Sequence, residues 1–127
     1  MRKLVLLAAA IALAAPSATA FAHASVVASS PAQGATVAKP KTVTLTFSEA
    51  MLPPTAAAAS IVMTAMPGMD NHGEMAIRNF TAAWSNGNKT MTLSLRQPLK
   101  AGTYEVRWQA AGADGHRMTG VVKFIVR

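Results

Sequence analysis

Apolar and polar residues alternate in short runs along this chain, and each run ends at a turn signal. Thr42 to Ser48 is the clearest case: Val43, Leu45 and Phe47 share one face, and Thr42, Thr44 and Thr46 share the other. A period of two is the signature of a strand with one buried face, and it does not sit on a helix. The pattern returns in Thr90 to Arg96 (Met91, Leu93 and Leu95 on one side), in Thr103 to Ala110 (Tyr104, Val106, Trp108) and in Thr119 to Val126 (Val122, Phe124, Val126). Ser25 to Ser29, Ser60 to Thr64 and Ile77 to Trp84 complete the set. The turn signals are Ser30-Pro31-Ala32-Gln33-Gly34, Asn86-Gly87-Asn88 and Pro98 to Gly102.

Seven short strands at this spacing predict an all-β, antiparallel Greek-key sandwich or barrel of the immunoglobulin-like (cupredoxin-like) kind. Leu99-Lys100-Ala101-Gly102-Thr103-Tyr104 reads as a tyrosine corner ahead of a late strand.

The N-terminus is of a different kind. Arg2 and Lys3, an apolar stretch from Leu4 to Ala15 and a small-residue exit from Pro16 to Ala22 form a secretion signal. Cleavage after Ala20-Phe21-Ala22 divides the chain into a signal peptide, residues 1–22, and one domain, residues 23–127. The apolar stretch is too short to span a bilayer, so the domain is expected to be exported and not membrane-embedded.

Composition narrows the chemistry. The chain has no cysteine, so it forms neither a disulfide nor a thiolate metal site, and its eight methionines are the soft sulfur ligands available. The formal net charge of +7 falls to +5 once Arg2 and Lys3 are removed. The remaining cations are scattered singly, without aromatic interleaving, which argues against nucleic-acid binding. No G-x-S-x-G elbow or phosphate-cradling loop is present. The five carboxylates are too scattered to name a catalytic acid and base.

Two clusters remain, together with the mature N-terminus. Methionine or histidine recurs at every third position over Met63, Met66, Met69, His72 and Met75. Pro67, Gly68 and Gly73 oppose a helix there, and the period opposes a strand over most of it. The reading is an exposed irregular loop of thioethers, suited to copper(I), with His72 adding a nitrogen. A promiscuous hydrophobic surface is the competing reading.

The second cluster is Asp114-Gly115-His116, between two strands. Alone it means a turn and a surface histidine. After cleavage, however, His23 offers an α-amine beside its imidazole. With Asp114 and His116 it makes an N₃O set that matches copper(II). Asp114 either ligates directly or orients a histidine.

These residues together resemble the CopC family of periplasmic copper-resistance proteins. The resemblance rests on His23 after the signal, Ser30-Pro31-x-x-Gly34, Leu45-Thr46-Phe47-Ser48-Glu49, the Met63-to-Met75 stretch, Leu99-x-Ala101-Gly102-Thr103-Tyr104 and Asp114-Gly115-His116 with Gly120 and Phe124. It implies a periplasmic copper carrier, not an enzyme, and the domain is expected to be a monomer. It also implies copper(II) at His23, Asp114 and His116, copper(I) at Met63, Met66, Met69, His72 and Met75, and exchange with an inner-membrane copper importer or a periplasmic copper oxidase. A small copper monooxygenase and a metal-free immunoglobulin-like interaction module are the alternatives.

Overall fold

The computed structural model describes residues 24–52, 58–69 and 73–127. Among these residues there are nine strands and no helix: β1 (Val26–Ser30), β2 (Thr36–Val37), β3 (Thr42–Phe47), β4 (Ala58–Ala65), β5 (Met75–Ile77), β6 (Phe80–Ser85), β7 (Thr90–Leu95), β8 (Gly102–Ala111) and β9 (Arg117–Val126). They form two sheets, in the orders β1-β3-β7-β6 and β2-β9-β8-β4-β5. All pairings are antiparallel except β2 with β9, which is parallel over two residues.

The faces read from the alternation are the buried ones. Val43, Leu45 and Phe47 from β3, and Met91, Leu93 and Leu95 from β7, meet Tyr104, Val106 and Trp108 from β8 and Val122, Phe124 and Val126 from β9 in one core. Phe47 links the sheets, with its ring 5.0 Å from Trp108 in an edge arrangement and 5.9 Å from Trp84. Burying such large side chains is the main stabilising term in a domain without disulfides.

The expected tyrosine corner is present. The Tyr104 hydroxyl donates to the Lys100 carbonyl at 2.6 Å, and its ring stacks on Phe124. The turn at Asn86-Gly87-Asn88 holds all three residues at positive φ, which asparagine and glycine tolerate best.

The structure differs from the sequence expectation in two places. The single strand expected over Ile77 to Trp84 is two strands, because Arg78 and Asn79 carry the chain from the five-stranded sheet into the four-stranded one. Alternation reports which face is buried, not which sheet buries it. β2 was not anticipated, since two residues are too few to show a period.

Candidate metal centre

The loops gather at two ends of the sandwich. At one lie the β3–β4 connection, the β6–β7 turn and the β8–β9 loop. At the other lie the β2–β3, β5–β6 and β7–β8 loops, with the hairpin that leaves β4.

At the first end the chain is tied down by backbone hydrogen bonds. Met51 N–H donates to Asn88 and Leu52 N–H to Ala111, so the segment after β3 is fastened to both neighbours. Ser25 and Ser48 exchange two bonds: Ser25 N–H donates to Ser48 Oγ at 3.0 Å, and Ser48 N–H to the Ser25 carbonyl at 2.8 Å. Ala24 is buried in the core. The described chain therefore enters the sandwich at the end that carries Asp114 and His116. His23 lies outside the described residues.

The Asp114–His116 loop is preorganised. Gly115 N–H donates to the Gly112 carbonyl, closing a turn in which Gly115 has a φ of 80°. His116 N–H donates to Asp114 Oδ1 at 3.0 Å, while Asp114 Oδ2 lies 3.0 Å from His116 Nδ1. A carboxylate on Nδ1 sets the tautomer and leaves Nε2 as the lone-pair donor for a metal. The contact places Asp114 where it can orient the His116 ring. The imidazole projects outward, with 72% of its side chain exposed.

Glu49 joins this pair. A Cβ on Gly112 would collide with Glu49 Oε1 and lie 3.5 Å from Asp114 Oδ1, so the two carboxylates converge over a glycine. In the sequence Glu49 closes the Leu45-to-Glu49 motif but is otherwise one scattered acid among five. The signal that could have found it is the absence of a side chain at Gly112, which registers only once the loops are placed. Among the described residues, no group of three or more His, Cys, Asp or Glu side chains is arranged to hold a metal ion.

At the second end, the methionine segment is only partly the exposed loop that its period suggested: Met66 to Met69 form a turn, while Met63 and Met75 lie on strands. Met63 is a core residue of β4, 3% exposed, and pairs across the sheet with Met75, the first residue of β5. A β-bulge between Met63 and Ala65 interrupts the ladder with β8 just before the turn. Met66-Pro67-Gly68-Met69 is a tight turn, with Met69 N–H donating to the Met66 carbonyl at 3.2 Å and Gly68 at a φ of 76°. Proline followed by a positive-φ glycine is the type II pattern.

Met63, Met66 and Met75 line one cavity of about 210 Å³, closed by Leu99, Asn79 and Tyr104. Met69 and Met75 are 53% and 46% exposed. His72 lies outside the described residues. Met51 is core, 2% exposed, at the opposite end.

The residue before Met75 is held by a two-pronged ion pair. Arg107 of β8 donates from Nη1 and Nη2 to the two oxygens of Glu74, at 3.0 and 2.5 Å, and from Nε to Glu105. The Arg107 hydrogen bonds lower the Glu74 pKa below its ordinary value, and the two carboxylates raise that of Arg107.

The CopC domain family matches residues 26–127. Copper resistance protein C of Pseudomonas syringae pv. tomato is 45% identical over 113 residues, covering 87% of this chain and 86% of that protein. Copper resistance protein C of Escherichia coli is 37% identical over 109 residues, covering 86% and 85%. The crystal structure of PcoC, a methionine rich copper resistance protein from Escherichia coli, superposes with a TM-score of 0.74 at 34% identity, over 84% of this chain and all of that one. Sequence and fold agree across the whole described sandwich, and the chain belongs to the CopC domain family.

Proposed function

We propose that this protein is a periplasmic copper carrier, exported by cleavage after Ala22, with one site for each oxidation state. Copper(II) is held by the amine and imidazole of His23 with His116, oriented by Asp114, and with the Glu49 carboxylate facing the same loop. Copper(I) is held among Met63, Met66, Met69, His72 and Met75. Copper is cargo, so the protein needs no acid, base or nucleophile, and it acts as a carrier and not as an enzyme.

The observation that carries this reading is the cavity shared by Met63, Met66 and Met75. Thioethers need no deprotonation and favour copper(I), and this cysteine-free chain has no other soft donor. The Asp114–His116 contact supports the second site, because hydrogen-bonded imidazole is the usual form of a metal-binding histidine. The relatives' names, copper resistance protein C and methionine rich copper resistance protein, point the same way. An inner-membrane importer or a periplasmic oxidase is the exchange partner in this reading.

The test is copper titration of the mature chain against a form with one extra residue before His23. Loss of copper(II) affinity in the extended form supports the amine chelate, and unchanged affinity refutes it. A Met66→Leu/Met69→Leu variant is expected to lose copper(I) affinity while keeping copper(II) affinity.

A further inference from the structure

The topology collects charge unevenly between the two ends. Lys39 and Lys41 lie in the β2–β3 connection, Arg78 in the β5–β6 connection, and Arg96 and Lys100 in the β7–β8 connection. All five are exposed and all flank the methionine end. The Leu99 N–H to Pro40 bond, the Leu95 N–H to Lys41 bond and the Arg96 N–H to Asn79 bond hold these three connections side by side. None of the five forms an ion pair among the described residues. Among the described residues, the acids nearest this end are Glu74 and Glu105, both engaged by Arg107. At the opposite end Lys89 and Arg117 are balanced by Glu49 and Asp114.

We infer that the methionine end is a docking face for the acidic surface of a protein partner that exchanges copper(I) with it. Exposed Met69 and Met75 lie at this end beside a thioether cavity whose lining includes Lys100, and the other four cations stand in the loops of the same end. Copper(I) moves by ligand exchange, so the partner must bring soft donors of its own to the rim, which an anionic lipid surface does not have. Cations of one sign around the entry raise the encounter rate with an acidic partner and repel a basic one. The copper handover rests on the function proposed above, whereas the docking does not.

Two measurements separate these parts. In the first, metal-free mature protein is titrated with a short Glu-rich peptide carrying a Met-x-x-Met core, and with its Gln-substituted control, while amide chemical shifts are followed. Shifts are expected at Lys39, Lys41, Arg78, Arg96 and Lys100 with the acidic peptide only, weakening roughly tenfold between low and physiological salt. Equal shifts with the control, or shifts centred on Lys89 and Arg117, overturn the inference. So does binding to phosphatidylcholine vesicles containing phosphatidylglycerol in the absence of any response to the peptide.

In the second, copper(I) transfer to the same peptide is timed for a Lys39→Gln/Lys41→Gln/Arg96→Gln variant. A rate about tenfold lower with unchanged copper(I) affinity supports steering. An unchanged rate overturns it. Retained peptide shifts in a protein that binds no copper(I) uphold the docking face and refute the carrier function.

Discussion

Gly120→Ala is expected to destabilise the sandwich, against the intrinsic preference of a strand for alanine over glycine. Gly120 pairs with Trp108 in the β8–β9 register, and the indole lies across it. A Cβ there would stand 2.5 Å from Cζ2, 2.6 Å from Cε2 and 2.8 Å from Nε1 of Trp108. Carbon atoms rest about 3.5–4.0 Å apart, so the ring would have to move by roughly 1 Å. It has little room to do so, because Phe47 abuts it at 5.0 Å and both strands are paired along their length.

Overpacking of this kind costs about 1–3 kcal/mol, whereas the same change in an open strand would stabilise by about 0.5–1 kcal/mol. For a domain of this size the loss corresponds to a fall in Tm of roughly 5 to 20 °C. Thermal unfolding followed by circular dichroism reads it directly. Repeating Gly120→Ala in a Trp108→Leu background should remove most of the penalty, since the colliding atoms are gone. A Tm within about 1 °C of wild type, or an equal penalty in both backgrounds, would refute the steric account.

Three further outcomes follow from the site geometry. Tyr104→Phe removes the hydrogen bond to Lys100 and should cost about 1 kcal/mol in urea unfolding. Burial raises the Tyr104 pKa above 10.0, so its contribution is complete below that pH and fades as pH rises through the raised value; the phenylalanine variant should lack this alkaline loss. Glu74 is the opposite case: its lowered pKa makes a contribution that is present above pH 4.5 and fades as pH falls through the lowered value, and Glu74→Gln should flatten that acid limb in pH-dependent unfolding. Met63→Leu conserves volume in the core and should cost less than about 1.5 kcal/mol, while copper(I) titration should show weakened binding and copper(II) titration no change.

Much of the fold was legible because each strand announces its buried face locally. Val43, Leu45 and Phe47 needed no partner in view to be assigned inward, and Asn86-Gly87-Asn88 needed none to be read as a turn. The breaks in legibility have physical causes. Arg78 and Asn79 shift the chain between sheets, and the period slips there, with Ile77 and Phe80 both packed on the core. Met75 opens a strand of only three residues, too short to show a period, so its pairing with Met63 was hidden. Glu49 shows locally only as the end of the Leu45-to-Glu49 motif; its place beside Asp114 depends on the side-chain-free surface of Gly112, far away in sequence.

By itself the sequence determined the chemistry on offer: a cysteine-free β-sandwich whose soft donors are methionines and whose compact imidazole–carboxylate motif is Asp114-Gly115-His116. Residue type and near-neighbour spacing are local properties, and local properties survive in a string of letters. Only the tertiary structure decided which donors meet. It turned Asp114 onto His116 Nδ1, brought Glu49 beside them and gathered Met63, Met66 and Met75 around one cavity. It also sent the thioether and imidazole–carboxylate groups to opposite ends of the sandwich, with five exposed cations in the loops of the thioether end. Those decisions depend on strand order and sheet crossing, which long-range burial selects and no short window of sequence contains.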